Sequence, residues 1–363
     1  MIEPGEWIDV GAADDFKAAQ LCEAQVGEHR VAISYKDGQF GVISNVCNHV
    51  GGPLGKGRLD GEYVVCPWHQ YKFHRCTGQG QPGYEAARVP VHAVRVENTR
   101  LLVSANPISE RVRPSHDPHP LTRSTAQRPP GPLRVGGIST TAMDPKNPRF
   151  STSEHLLGAA LDHARTALGA EAKMIRLNEL TFRHCEGYYS KAARACTWPC
   201  SITSKDRSDQ LDQVYEMAVH WADVLLIATP IRWGSASSLY YKMVERMNCI
   251  QNQITINNKV LIHNKVAAFI ITGGQDGIQA VAGHMMLFFG EIGFVVPQFP
   301  FIAHSLGWEF EEMDRNVELV SHSDALRKGA CDLAARSVDM ARALLERDMT
   351  RTTIARGGRK ASA

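Results

Sequence analysis

Two short Cys/His pairs constrain this chain more than anything else in it: Cys47-Asn48-His49 and, after sixteen intervening residues, Cys66-Pro67-Trp68-His69. Thiolates and neutral imidazoles are metal donors. Two of each on separate loops fit a [2Fe–2S] cluster in which both cysteines hold one iron and both histidines hold the other. Imidazole ligands leave their iron less negatively charged, so it is the easier one to reduce and belongs nearest solvent. Electrons would then enter and leave through His49 and His69. Two Cys and two His also satisfy tetrahedral Zn²⁺, but zinc modules usually space each pair by two or more residues and set the histidines together.

The flanking residues sharpen this reading. Gly51-Gly52-Pro53 after the first pair and Thr77-Gly78 after the second allow tight loops whose backbone N–H groups point at bridging sulfides, and Pro82 would close a third loop. With these motifs, residues 5–104 resemble a Rieske-type ferredoxin of the kind that feeds electrons to ring-hydroxylating oxygenases. The resemblance implies an all-β domain with Trp7 and Val10 in an opening strand and Val89-Pro90-Val91 leading to a closing one. High-potential relatives carry an extra cysteine in each ligand loop. Gly52 and Trp68 stand in those places here, which implies the lower-potential ferredoxin branch. His74 and Cys76 fit no ligand position and are expected as a surface imidazole and a packed thiol.

At 363 residues, 44% of them hydrophobic, the chain has room for two cores. A net charge of +2 gives no general attraction to nucleic acid or membranes. No apolar run follows Met1-Ile2-Glu3-Pro4-Gly5, and stretches such as Val224 to Ile227 and Met285 to Phe289 are too short to span a bilayer. Nine cysteines, at least two of them thiolate ligands, suit a reducing compartment. A cytoplasmic address is expected.

Composition changes at Ser104, where prolines appear among Ser, Arg and His with almost no aliphatic residues. The expected layout is a Rieske domain over 1–104, a Pro-rich linker over 105–132, a second domain over 133–348 and a basic disordered tail over 349–363. A strap packed on a domain surface is the alternative to a free linker. Beyond it, apolar runs at Leu133 to Ile138, Lys173 to Leu177, Val224 to Thr229, Val266 to Thr272 and Phe294 to Phe299 alternate with helical patterns at Glu154 to Leu168, Gln210 to Ala222, Ser238 to Cys249, Ile278 to Gly290 and Asp324 to Glu346. Strict alternation predicts a five-stranded parallel sheet wound on both faces, because parallel neighbours need crossover helices. The fold class is therefore multidomain: an all-β domain followed by an α/β doubly wound one.

Ligands of such sheets bind at the carboxyl ends of the strands. After the first strand come Ser139-Thr140 and then Ser151-Thr152-Ser153-Glu154, hydroxyls at a helix N-terminus that suit a phosphate. Ser151 with Glu154 also matches a capping box that needs no ligand. Thr229-Pro230-Ile231-Arg232-Trp233-Gly234-Ser235 follows the third strand, and Thr272-Gly273-Gly274-Gln275-Asp276-Gly277 the fourth. Glycine-rich backbone beside an aromatic ring and a guanidinium suits a flat heteroaromatic ring with a polar edge.

Together these three loops resemble those of the flavodoxin-like NAD(P)H-dependent FMN reductases, over roughly residues 133–300. The resemblance implies that Ser139, Ser151, Thr152 and Ser153 serve the FMN phosphate. It places Pro230, Arg232, Trp233, Gly234 and Ser235 against the isoalloxazine, and Gly273, Gly274 and Gly277 at its pyrimidine edge. The first loop is longer than the usual compact version. Cys185, Cys196 and Cys200 do not complete a four-thiolate cluster and are expected as buried thiols lining the flavin pocket.

No Gly-x-Gly-x-x-Gly fingerprint follows a predicted strand, so the nicotinamide would lie directly on the flavin. No hydrolase triad is apparent, and no catalytic side chain is assigned. The expected activity is electron transfer from NAD(P)H through FMN to a Rieske [2Fe–2S] cluster, and on to an acceptor such as an oxygenase. A self-contained reductase of a quinone, nitro or other small organic substrate, with the cluster as electron inlet, is the rival. A redox-sensing module is the third reading. The resembled reductases commonly dimerise, so a homo-oligomer is expected.

Overall fold

The computed structural model describes residues 6–82, 84–113, 119–123, 128, 130–190, 196–206, 208–273, 276–307 and 309–347. Gly274 and the tail expected over 349–363 lie outside the described residues, as do parts of the expected linker. The chain divides into two compact units, one of residues 1–118 with 187–195 and the other of residues 119–186 with 196–363.

Among its described residues the first unit has nine strands and one short α-helix, α1 (Ala13–Ala19). β1 (Trp7–Ala12), β9 (Arg100–Pro107) and β8 (His92–Glu97) form one antiparallel sheet; β2 (Leu21–Val26), β3 (His29–Lys36) and β4 (Gln39–Ser44) form a second. β5 (Arg58–Asp60), β6 (Tyr63–Val65) and β7 (Lys72–His74) form a third, small one. The β3–β4 turn is Asp37-Gly38, with φ of 50° and 81° at its two residues, the twist that a two-residue hairpin favours. Alternation along β3 sends Val31 and Ile33 to one core with Val42, Leu101 and Val103. It sends Ala32 to another core with Leu54, Val64, Phe73, Val89, Cys47 and Cys66. The two cysteines are thus part of the apolar floor beneath their own loops.

The described parts of the segment expected as a linker are docked. β9 runs on to Pro107, Ile108 donates its N–H to the Val91 carbonyl, and Val112 exchanges both backbone bonds with Arg88. Further on, Arg123 pairs with Glu216 and Arg128 with Asp223, both within the second unit.

That unit holds a fully parallel sheet in the order β11 (Glu171–Arg176), β10 (Arg134–Ser139), β12 (Val224–Pro230), β13 (Val266–Gly273), β14 (Phe301–Ser305). This is the 2-1-3-4-5 order of flavodoxin-type sheets, whose switch point falls between the first and third strands. Every residue of β13 is buried, which is why the strand reads as an unbroken apolar run. On one face, α2 (Thr152–Thr166) and α9 (Asp324–Arg347) cover the sheet through Leu156, Leu157, Ala160, Leu161, Leu333 and Val338. The remaining helices are α3 (Ser201–Lys205), α4 (Asp212–Tyr215), α5 (Ser238–Arg246), α6 (Asn248–Asn257), α7 (Ile278–Glu291) and α8 (Phe310–His322). α4 continues as a π-helical turn, Glu216–Trp221, where a regular helix is expected.

Other elements also depart from expectation. The fifth strand lies at Phe301–Ser305 rather than 294–299. Pro297 and Pro300 cannot donate to a ladder, so only Val295 bridges to β13 before Phe299, at φ 49°, turns the chain into β14. α8 has no counterpart in the sequence reading. It is closed by a capping box in which Glu309 and Glu312 satisfy each other's backbone, without the usual Ser or Thr signal.

Candidate functional site

In the first unit the two ligand loops share one hydrogen-bond frame. The Cys47 N–H donates to the Gly52 carbonyl and the Gly51 N–H returns to Cys47; the Cys66 N–H donates to the Tyr71 carbonyl and the Gln70 N–H returns to Cys66. The fourth residue after each cysteine takes a positive φ, 80° at Gly51 and 60° at Gln70. His49 Nδ1 and His69 Nδ1 lie 3.0 Å apart, with the rings edge to face. Cys47, Cys66 and His69 are buried, and His49 is half-buried.

A Cβ on Gly52 would stand 2.8 Å from Cys66 Sγ, so only glycine leaves this space between the loops. Among the described residues no three His, Cys, Asp or Glu side chains gather about one point. A [2Fe–2S] cluster asks for only two protein donors per iron, and the two-thiol, two-imidazole set fits it.

Arg111, which the sequence reading did not single out, pins the first loop. Its guanidinium donates to the Val46 carbonyl at 2.8 Å, to Ser44 Oγ and to Asn48 Oδ1, while Asn48 Nδ2 donates to the Arg88 and Val112 carbonyls. Tyr188 and Tyr71 flank the histidines, with ring centroids 5.0 Å from His69 and 4.9 Å from His49. His74 Nδ1 accepts from the Cys76 and Thr77 N–H groups and caps a turn.

In the second unit, a cavity of about 210 Å³ sits at the carboxyl ends of β10, β12 and β13, lined in part by Ser151, Thr152, Pro230, Arg232 and Gly273. Thr141, Met143, Phe150, Thr272, Asn316 and Val317 complete the lining, and the sequence reading assigned none of these. Thr141 and Thr272 stand at the same strand-end level as the predicted residues, and that signal was available. The hydroxyls are paired, Thr141 with Ser151 at 2.7 Å and Thr152 with Thr272 at 2.7 Å. Ser151 also caps α2, accepting from the Glu154 N–H, so the capping and the cavity-lining roles coexist.

Not every predicted residue lines this cavity. The Ser139 hydroxyl is buried and donates to Glu154 Oε2 at 2.6 Å, and Glu154 in turn accepts from Arg176. Ser153 is buried with its Oγ 3.4 Å from Ser151 Oγ. Arg232 and Ser235 exchange backbone bonds around Trp233-Gly234, both at positive φ, and this turn holds the Trp233 ring 85% exposed. A tryptophan in the left-handed region is costly, and such outliers gather at ligand clamps. Gly277, at φ 109°, sits so close that a Cβ would be 2.8 Å from Gly234 Cα, which locks the second and third loops together. A larger groove, about 1220 Å³, runs along the outer side of α2, and Ser151 is the one predicted residue it shares.

The cysteines do not line the strand-end cavity, which corrects the expectation for Cys185, Cys196 and Cys200. Cys196 and Cys200 gather with Cys249 near Tyr215 and the buried Arg246–Asp209 pair, and Cys185 lies near Cys196. Burial pushes the Cys196 thiol up to about 11, and Cys249 is driven well above its ordinary value by the same cause.

The Rieske [2Fe-2S] domain family model matches residues 6–93, and that of the NADPH-dependent FMN reductases matches residues 145–309. The ferredoxin component of the naphthalene 1,2-dioxygenase/salicylate 5-hydroxylase systems of Ralstonia sp is 27% identical over 97 residues, 27% of this chain and 93% of that one. Ferredoxin CarAc of Metapseudomonas resinovorans is 32% identical over 92 residues, 25% of this chain and 84% of its own length. The 8-demethyl-8-aminoriboflavin-5'-phosphate synthase of Streptomyces davaonensis is 33% identical over 76 residues, 21% of this chain and 30% of that enzyme.

Proposed function

The chain belongs over residues 6–93 to the Rieske [2Fe–2S] family and over residues 145–309 to the NADPH-dependent FMN reductases, and from that premise we propose that it carries electrons from NAD(P)H through FMN to the Rieske cluster and on to an acceptor such as an oxygenase. The observation that carries the reading is that one chain encodes both a hydride-accepting and a one-electron centre. FMN, when bound, accepts two electrons together and can release them singly, whereas a [2Fe–2S] cluster holds one. The Ralstonia relative, named as the ferredoxin component of naphthalene 1,2-dioxygenase/salicylate 5-hydroxylase systems, supports an oxygenase as the outlet.

The chain's own residues supply position. Cys47 and Cys66 would hold the inner iron from the apolar floor, and His49 and His69 the outer iron through the facing Nδ1 atoms. Ser151, Thr152 and the α2 N-terminus would hold the FMN phosphate, with Pro230 and Arg232 against the isoalloxazine and Gly273 at its pyrimidine edge. Trp233, Gly234, Ser235 and Gly277 would form the rim for the ring system. Ser139 and Ser153 would brace the first loop from beneath, Ser139 through Glu154. The work divides at the segment 105–132.

A second reading keeps all chemistry at the flavin, and the relative whose name describes synthesis of a riboflavin-phosphate derivative favours it. The two part on His49→Ala. An outlet cluster predicts that this variant still oxidises NADPH anaerobically with ferricyanide but no longer reduces cytochrome c. Unchanged cytochrome c reduction would favour the second reading.

A further inference from the structure

Asn316 lies on α8, four residues before Val320, which is buried in the core shared with α2, so the two stand on one helix face. It lines the strand-end cavity together with Ser151 and Thr152 and is only 5% exposed. Its Oδ1 has no hydrogen-bond partner among the described residues. A buried carbonyl oxygen without a donor is destabilising, and such groups are rare unless something else satisfies them. The nearby hydroxyls are already paired, Thr141 with Ser151 and Thr152 with Thr272.

The missing donor has a restricted chemistry. The α2 N-terminus and the hydroxyls favour an anion, yet an ionised phosphate offers an acceptor no hydrogen. A hydroxyl on a carbon chain next to the phosphate offers one. We propose that Asn316 is a specificity-determining residue whose Oδ1 accepts from a hydroxyl of the ligand's phosphorylated polyol chain, the ribityl chain of FMN. This rests on the flavin reading above and adds to it a contact from α8, outside the three strand-end loops.

The test is fluorescence titration of the flavin-depleted full-length chain with FMN, riboflavin and lumiflavin, which lacks the polyol. Asn316→Ala, a substitution helices favour, is expected to weaken FMN and riboflavin alike by about tenfold and to leave lumiflavin unchanged. Asn316→Asp keeps an acceptor in place and is expected to hold riboflavin within about threefold of wild type. Unchanged FMN and riboflavin affinity in Asn316→Ala would overturn the inference, as would a loss for FMN without one for riboflavin, which would mark a phosphate contact. Wild-type protein that binds none of the three would instead sink the flavin reading itself.

Discussion

His49 and His69 face each other with their Nδ1 atoms 3.0 Å apart, each presented by a loop of the same hydrogen-bond pattern. At this distance one neutral imidazole can donate its N–H to the other, and the frame built on Cys47 and Cys66 brings both rings to one place. His49→Ala should therefore abolish the Rieske-type EPR signal. His69→Cys should retain at best a centre with an all-thiolate-like spectrum. Stoichiometric zinc without acid-labile sulfide in the wild-type protein would contradict the assignment.

Gly52→Ala places a methyl group 2.8 Å from Cys66 Sγ and 3.0 Å from the Trp68 ring. The sulfur has little room to retreat, since Cys66 is buried and tied through its N–H to Tyr71. Overpacking of this kind costs about 1–3 kcal/mol. Iron and acid-labile sulfide per chain should fall together with the melting temperature, whereas FMN content should stay constant.

Asp209 and Arg246 form an ion pair at 2.8 Å with both side chains fully buried, and Thr203 joins them. Burial alone would raise the Asp209 carboxyl, but the bonds from Arg246 and the Arg183 N–H more than offset it and hold the pKa below its ordinary value. A depressed carboxyl contributes stability that is present above the usual range near 3.9 and is lost as pH falls through the lower folded value. Asp209→Asn, which leaves the guanidinium buried and uncompensated, should cost about 3 kcal/mol or more at pH 7. Urea midpoints measured from pH 7 down to pH 2 should show the gap between wild type and variant closing only below about pH 4. A gap of the same size at both ends would mean that the pair adds nothing through charge.

Much of this was legible in the chain, for physical reasons that differ by element. The metal ligands are legible because few residue types bind iron and their spacing sits within local loops. The parallel strands are legible because burial on both faces leaves β12 and β13 almost wholly apolar. The fifth strand was displaced by prolines whose effect depends on which neighbour they would have to bond. Ser139 has the right hydroxyl at the right strand end, yet its partner Glu154 is fixed only when α2 docks. Asn316 reads as an ordinary polar residue of a surface helix, and only the packing of α8 beside α2 carries it into the cavity. Arg111 likewise gains its role from a long-range return of the chain onto the Cys47 loop.

The central claim is that electrons from NAD(P)H reach the Rieske cluster through FMN on the same chain. Anaerobic rapid mixing of the full-length holoprotein with NADPH, following flavin bleaching optically and the reduced cluster by freeze-quench EPR, tests it most directly. The account predicts that the flavin bleaches first and that the cluster signal then grows at a rate independent of protein concentration. A cluster that stays oxidised while the flavin is fully reduced would contradict it.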